Sequence, residues 1–293
     1  MQYSTFAAID IGSYDVILEI FEISKKQGIR SVDKICHRME LGKDTYTLGK
    51  IRPEMEEELC RVLADFVRIM EGYRVDAYRA MASSAISEAA NSLYVLGKIR
   101  QLTGLSVTVL SNSEQRFLGY KALAAMEDNF NKVIEKGTAI LDLDGGSFQI
   151  SLFDKDALVT TQNIRMGSLR VRERLAGIQS ETEHYEEMVE ELIWNEVSSF
   201  KKMYLKDRKI ENIMLIGDVF TDSVYQNIEE KTTKIISREN FNTWYEKIIR
   251  QSPMELAVKL GIPLENASLM YPSAVIYKCL IDMMEAEHVW IPG

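Results

Sequence analysis

The sequence predicts a two-lobed α/β protein, and three observations carry that expectation. Its 293 residues are long for one compact core and about right for two domains. Short apolar strand patterns alternate with helical ones along most of the chain. One local device also occurs twice: a buried strand ending in aspartate, a turn of small residues, a serine and a returning strand. It stands at Asp10-Ile11-Gly12-Ser13 and again at Asp142-Leu143-Asp144-Gly145-Gly146-Ser147. The repeat, at a period of about 130 residues, reads as duplicated domains rather than a solenoid.

Residues 5–23 read as a strand, a tight turn at Gly12-Ser13 and a second strand alternating at Val16, Leu18 and Ile20. Gly28 punctuates a hairpin into a third strand over 29–41. Pro53, early acidic residues and Leu59, Leu63, Phe66 and Met70 at helical spacing predict a helix over 53–72. A short strand from Tyr78 to Ala82, a helix from Ala85 to Arg100, a strand from Ser106 to Leu110 and a helix from Ser113 to Met126 follow. The polar stretch 128–136 is the natural boundary, giving domains 1–127 and 134–293. The pattern then restarts with strands over 139–143 and 148–153. A long helix over 181–206 and a strand from Ile213 to Gly217 come next, and the remainder is largely helical.

Composition excludes several classes. No apolar run approaches the roughly 18–20 residues of a membrane span, and the N-terminus lacks the basic region of a signal peptide. Cys36, Cys60 and Cys279 are odd in number and lack metal-site spacing, which fits a reducing, cytoplasmic setting; Cys60 and Cys279 read as buried thiols. A net charge of −9 argues against nucleic-acid binding, which needs a basic face. The basic residues are not evenly spread: Arg165, Arg170, Arg172 and Arg174 crowd a single segment.

The twin loops carry the chemistry. Glycines let backbone N–H groups face a phosphate, and a serine hydroxyl adds a donor, so Gly12, Ser13, Gly145, Gly146 and Ser147 are candidate phosphate contacts. An aspartate at the strand end can hold a divalent cation against phosphate oxygens, which nominates Asp10, Asp142 and Asp144. One such turn alone reads more readily as a hairpin. Two copies, one per lobe, favour a cleft with an anion cradle on each wall. For Asp144 an exposed turn aspartate and a cation ligand are equally good readings.

With Met81-Ala82-Ser83-Ser84-Ala85-Ile86, Leu110-Ser111 before Glu114-Gln115, and Met166-Gly167-Ser168-Leu169-Arg170 falling in order between and after the two loops, the chain resembles the exopolyphosphatase / guanosine pentaphosphate phosphatase (Ppx/GppA) family over essentially its whole length. That resemblance implies an actin-like, ribonuclease-H-like (ASKHA) two-domain fold with the active site in the interdomain cleft. It implies Mg²⁺-dependent hydrolysis of phosphoanhydride or phosphate-ester bonds, on inorganic polyphosphate or a guanosine polyphosphate. Arg170 matches a family arginine able to contact substrate, and the family suggests a homodimer.

The departures from the family pattern bear on catalysis. Tyr14-Asp15 follow Ser13 where the family has Asn-Ser. Gln149 stands where a glutamate closes the second loop, and Ser87 where an arginine contacts phosphate. The family's catalytic glutamate falls on Gln115, or on Glu114 with a one-residue gap. A glutamine cannot accept a proton at neutral pH, so such a replacement removes roughly 10²–10⁴-fold in rate. Retained binding with weakened hydrolysis is therefore the alternative to a working phosphohydrolase. Asp15, Asp144 and Glu114 are the carboxylates that could compensate. Of Arg165, Arg172 and Arg174, at least two read as solvated helix-face charges. Gly217-Asp218 occupies a third turn position, and His37, His184 and His288 have no metal or triad spacing.

Overall fold

A computed structural model describes residues 3–26, 28–126, 130–176, 185–206, 208–217, 220–221 and 235–292. The chain divides into two compact units, Met1–Gln115 and Arg116–Gly293.

In the first unit, β1 (Ser4–Ile11), β2 (Asp15–Ser24), β3 (Gly28–Arg38), β4 (Ala77–Ala82) and β5 (Val107–Val109) form one sheet in the order β3-β2-β1-β4-β5. The β1–β2 and β2–β3 pairs are antiparallel, and β4 and β5 add in parallel, which is ribonuclease-H-like wiring. Alternate residues Ala7, Ile9 and Ile11 of β1 are buried with Val16, Leu18 and Ile20 of β2. They pack with Leu59, Leu63 and Phe66 of α2 (Pro53–Gly72) and Val95 and Ile99 of α4 (Ser92–Thr103). Period-two burial means that this stretch of sheet has one core face. Asp10 points to the other and is exposed.

In the second unit, β6 (Thr138–Leu143), β7 (Phe148–Asp154), β8 (Ala157–Ile164), β9 (Asn212–Ile216), β10 (Ile235–Ser237) and β11 (His288–Trp290) take the order β10-β11-β9-β6-β7-β8. The antiparallel β6-β7-β8 meander with β9 added in parallel repeats the first unit's wiring. This sheet is covered on both faces. Leu141, Leu143, Ile150 and Leu152 pack in one core with α8 (Tyr185–Phe200) and α11 (Leu264–Met284). On the other face Ile140, Phe153 and Met214 cluster with Leu123, Phe130, Val133 and Ile134.

Those last residues explain where the chain divides. The division falls inside α5 (Asn112–Met126), N-terminal to the polar stretch 128–136, because Tyr120 and Leu123 of that helix pack on the second sheet. Within the polar stretch itself lies α6 (Phe130–Ile134), whose Phe130, Val133 and Ile134 are buried.

Other elements differ from the sequence expectation for identifiable reasons. The single helix expected over 85–100 is α3 (Ser84–Ser87) followed by α4. The break holds Asn91, whose side chain accepts from Ile51 N–H at 3.0 Å and donates to Ile51 O at 2.8 Å and Glu56 at 2.7 Å. A short helix, α1 (Leu41–Leu48), ends the third strand, and α7 (Ser168–Leu175) follows β8. The expected long helix is α8 running into a π-helical turn at Lys201–Leu205; residues 181–184 of that expectation, and His184, lie outside the described residues. The tail holds β10 and β11 as well as α9 (Arg238–Ile249), α10 (Pro253–Leu260) and α11. No helix among the described residues is long and apolar enough to cross a membrane.

Candidate functional site

In the first unit the loop between β1 and β2 is closed by Gly12 N–H, which donates to Asp15 O at 2.9 Å. The Ser13 side chain turns inward: it is 1% exposed, and its hydroxyl meets Tyr46 at 2.6 Å and Ser84 at 3.3 Å. Tyr46 and Ser84 are themselves 2.9 Å apart. Three hydroxyls from loop, α1 and the start of α3 thus satisfy one another. Backbone bonds from Gly42 N–H to Ser13 O (2.8 Å) and Ser83 N–H to Ile11 O (3.2 Å) fasten the same three pieces. Tyr46 carried no signal of its own in the sequence, and Ser84 stood in the Met81–Ile86 motif with no role assigned to it. Asp15, one of the three compensating carboxylates, pairs with Arg38 at 3.1 Å.

The second unit gathers more of the expected residues. Asp142 ends β6 opposite Gln149 and Ile216 in the strand register. It is partly buried, and its pKa is pushed up to about 7, first by loss of hydration and then by the negative charge of Asp144. Two glycines border this carboxylate. A Cβ on Gly217 would lie 2.5 Å from Asp142 Oδ1, and one on Gly119 of α5 would lie 4.0 Å from Oδ2. Gly217 also has φ +89°, so its place at the end of β9 is open to glycine alone. Its partner in the expected third turn, Asp218, lies outside the described residues.

Asp144 folds back on its own loop, where Oδ1 accepts the Gly145 N–H at 2.5 Å. One donor that the sequence offers to phosphate is thereby occupied by a carboxylate. The loop is closed by Asp144 N–H donating to Ser147 O at 2.9 Å. It is braced from α7: Arg170 N–H donates to Gly145 O at 2.9 Å, and Arg170 Nε donates to Gly146 O at 2.8 Å. These bonds fix the guanidinium beside the loop. Gly167 is the tightest point, since a Cβ there would come within 2.2 Å of Asp144 O and 2.4 Å of Ser147 N.

Gln149 is buried, and its Oε1 has no hydrogen-bond partner. Asn163 stands opposite it on β8, and its Oδ1 is likewise buried and unpartnered. In strand register Asp142, Gln149 and Asn163 thus stand side by side across β6, β7 and β8. Among the described residues no three His, Cys, Asp or Glu side chains gather as a metal cluster. The second loop nevertheless offers two acids and an orphaned amide oxygen. An all-oxygen set of that kind suits a hard divalent cation that keeps several positions for water or phosphate.

Glu114 and Gln115 open α5. The Glu114 carboxylate accepts from Ser111 N–H at 2.9 Å and Ser111 Oγ at 2.7 Å, while Glu114 N–H donates to Ser111 Oγ at 3.3 Å. This reciprocal pairing is a capping box. Those bonds hold the Glu114 carboxyl below the usual range, opposite to the shift a general base needs. Gln115 is half-buried and stands one helical turn before Gly119. Of the remaining arginines, Arg172 bonds Glu173 and Ser268 and so fastens α7 to α11. His37 pairs with Glu58 at 3.3 Å.

Two ribonuclease-H-like sheets, each with a strand-ending aspartate and a small-residue turn at corresponding positions, define an α/β protein of the actin-like class. The sequence profile of the Ppx/GppA phosphatase family matches residues 19–292, and the chain belongs to that family. It is 21% identical over 238 residues to a bifunctional 3-dehydroquinate synthase/phosphatase of Fusobacterium nucleatum, covering 77% of this chain and 34% of that protein. It is 25% identical over 144 residues to exopolyphosphatase 1 of Mycobacterium leprae, covering 49% and 41%. The chain thus spans less than half the length of these relatives. Among solved structures it is similar to the Aquifex aeolicus Ppx/GppA family member (TM-score 0.75, 19% identity, 99% and 95% coverage). An exopolyphosphatase from Cytophaga hutchinsonii gives a TM-score of 0.82 at 17% identity, with 98% and 93% coverage. These likenesses confirm the expected fold.

Proposed function

We propose that the chain is a phosphohydrolase that removes the terminal phosphate of inorganic polyphosphate or a guanosine polyphosphate with Mg²⁺. The observation that carries this reading is the second loop, where Asp142, with a pKa near 7, adjoins a glycine turn braced by Arg170. Family membership and the names of the relatives support the substrate class. Gly146, Ser147 and Arg170 would bind phosphate oxygens on the second unit, and on the first only the backbone of the Gly12-Ser13 turn would do so, since Tyr46 and Ser84 hold the Ser13 hydroxyl. Asp142 and Asp144 would hold the cation on the second unit, with Gln149 Oε1 beside them; Asp10 is the corresponding strand-end carboxylate of the first unit. Bound there, Mg²⁺ supplies positive charge to the phosphate oxygens. Gln115 orients water or phosphate by hydrogen bonds and takes no proton. The same reading makes this a cytoplasmic protein with no nucleic-acid or membrane partner, and the resemblance carries a homodimer.

A second reading, a phosphate-ligand binding or sensor protein with weakened or lost catalysis, is favoured by one observation. The glutamate nearest the expected base, Glu114, is committed to capping α5. Phosphate release from polyphosphate and guanosine pentaphosphate with Mg²⁺ separates the two. A hydrolase gives release well above background that collapses in Asp142→Ala. Calorimetric binding of the same ligands with no release across several divalent metals would establish the sensor instead. Absence of both would end either reading.

A further inference from the structure

We infer that Arg38 is a specificity-determining residue of the first loop: it cancels the charge of Asp15, a carboxylate set against Gly12, and so lets the loop accept a polyanion. The inference rests on the phosphate-ligand reading above. Asp15 opens β2, and its backbone oxygen accepts the Gly12 N–H that closes the turn. Its side chain stays close by, with Oδ1 3.3 Å from the point a Cβ on Gly12 would occupy. An unbalanced carboxylate there repels an anion bound at the loop. At a separation of about 6 Å near a protein surface, that repulsion, roughly halved by the screening of about 0.1 M salt, lowers affinity by about tenfold.

The strand register supplies the compensation. Asp15 and Arg38 are direct partners across β2 and β3, and Arg38 Nη1 reaches Asp15 Oδ2 at 3.1 Å. The guanidinium is seated over the Tyr14 ring, 5.4 Å from its centroid, and Tyr14 is buried. Cys36, two residues back on the same face of β3, donates its thiol to the same Oδ2 at 3.5 Å. Burial, and then the charge of Asp15, push that thiol up, so it stays a donor. A half-exposed ion pair of this kind adds little to folding.

Calorimetric titration of inorganic tripolyphosphate at fixed free Mg²⁺ tests the inference with wild type, Arg38→Gln, Asp15→Asn and the double variant. Arg38→Gln should bind about tenfold more weakly with an unchanged thermal midpoint, by the Coulomb estimate above. Asp15→Asn should bind as well as wild type or better, and the double variant should recover to within about threefold of wild type. Unchanged affinity in Arg38→Gln overturns the inference. So does a double variant as weak as Arg38→Gln, which would mean that Arg38 touches the ligand itself. A wild type that binds no tripolyphosphate overturns this inference and the proposed function together, whereas binding indifferent to Arg38 overturns this inference alone.

Discussion

The two loops begin from nearly the same sequence, Ala-Ile-Asp-Ile and Ile-Leu-Asp-Leu, and end in different electrostatic states. Around β1 the buried residues lie on one face, and Asp10 projects from the other into solvent. In the second unit α5 and α6 cover the equivalent face, and Asp142 is enclosed beside Gly119 and Gly217. Asp10 stays exposed, whereas Asp142 loses much of its hydration and titrates near pH 7. The difference teaches that a strand-end motif sets where a carboxylate stands. The layer packed over it sets what that carboxylate can do.

The largest expected effect tests how tightly each loop is built. Gly167→Ala would drive a methyl group to 2.2 Å from Asp144 O and 2.4 Å from two other backbone atoms, none of which can swing aside. A loss of about 3 kcal/mol or more is expected in urea unfolding. Gly12→Ala in the first loop meets Asp15 O at 3.0 Å and should cost about 1 kcal/mol. Equal losses at the two positions would break the comparison.

The next effect is the pH dependence of the partly buried acid Asp142. Asp142 has a folded pKa of about 7 against an ordinary 3.8, so between those values the folded chain binds a proton that the unfolded chain has released. Stability then falls as pH rises from about 4 to about 7, and the penalty is complete above that window. Asp142→Asn removes it. The variant should be more stable than wild type at pH 8, by on the order of 2–4 kcal/mol at most, with the difference vanishing below pH 4. Asp10→Asn, at an exposed position, should change stability by no more than about 0.5 kcal/mol. Mg²⁺ should raise the thermal midpoint of wild type more at pH 8 than at pH 5, and that increment should be absent from Asp142→Asn.

Much of this was legible in the sequence wherever the signal is local. The alternating burial of β1 and β2, the apolar run of β6 and the helical spacing of α2 each declare an element without knowledge of its neighbours. The aspartates, glycines and Arg170 were visible as a pattern. Tertiary partners were not. Nothing near Asn91 announces that Ile51 and Glu56 will interrupt a helix there. The half-exposed β8 strand, Ala157–Ile164, has too few apolar residues for its alternation to stand out. Gly119 reads as an ordinary helix glycine until β6 places Asp142 beside it. Ser13 likewise reads as a ligand donor until α1 and α3 supply Tyr46 and Ser84.

The smallest expected effect concerns α5, the helix that starts in the first unit and encloses Asp142 in the second. The two roles open to Glu114 give opposite results in a pair of assays. As a cap, its depressed pKa contributes stability that is present above the ordinary carboxylate range and lost as pH falls through the folded value. Ser111→Ala should then lower stability by about 1 kcal/mol at pH 7. Glu114→Gln should cause a smaller fall in thermal midpoint, confined to pH values where the carboxylate is charged, and leave phosphate release as it was. As a general base, Glu114→Gln would instead cut release by roughly 10²–10⁴-fold with little change in midpoint. Midpoint and turnover move independently here. A variant that keeps its midpoint and loses its turnover would return Glu114 to the chemistry and remove the main support for the sensor reading.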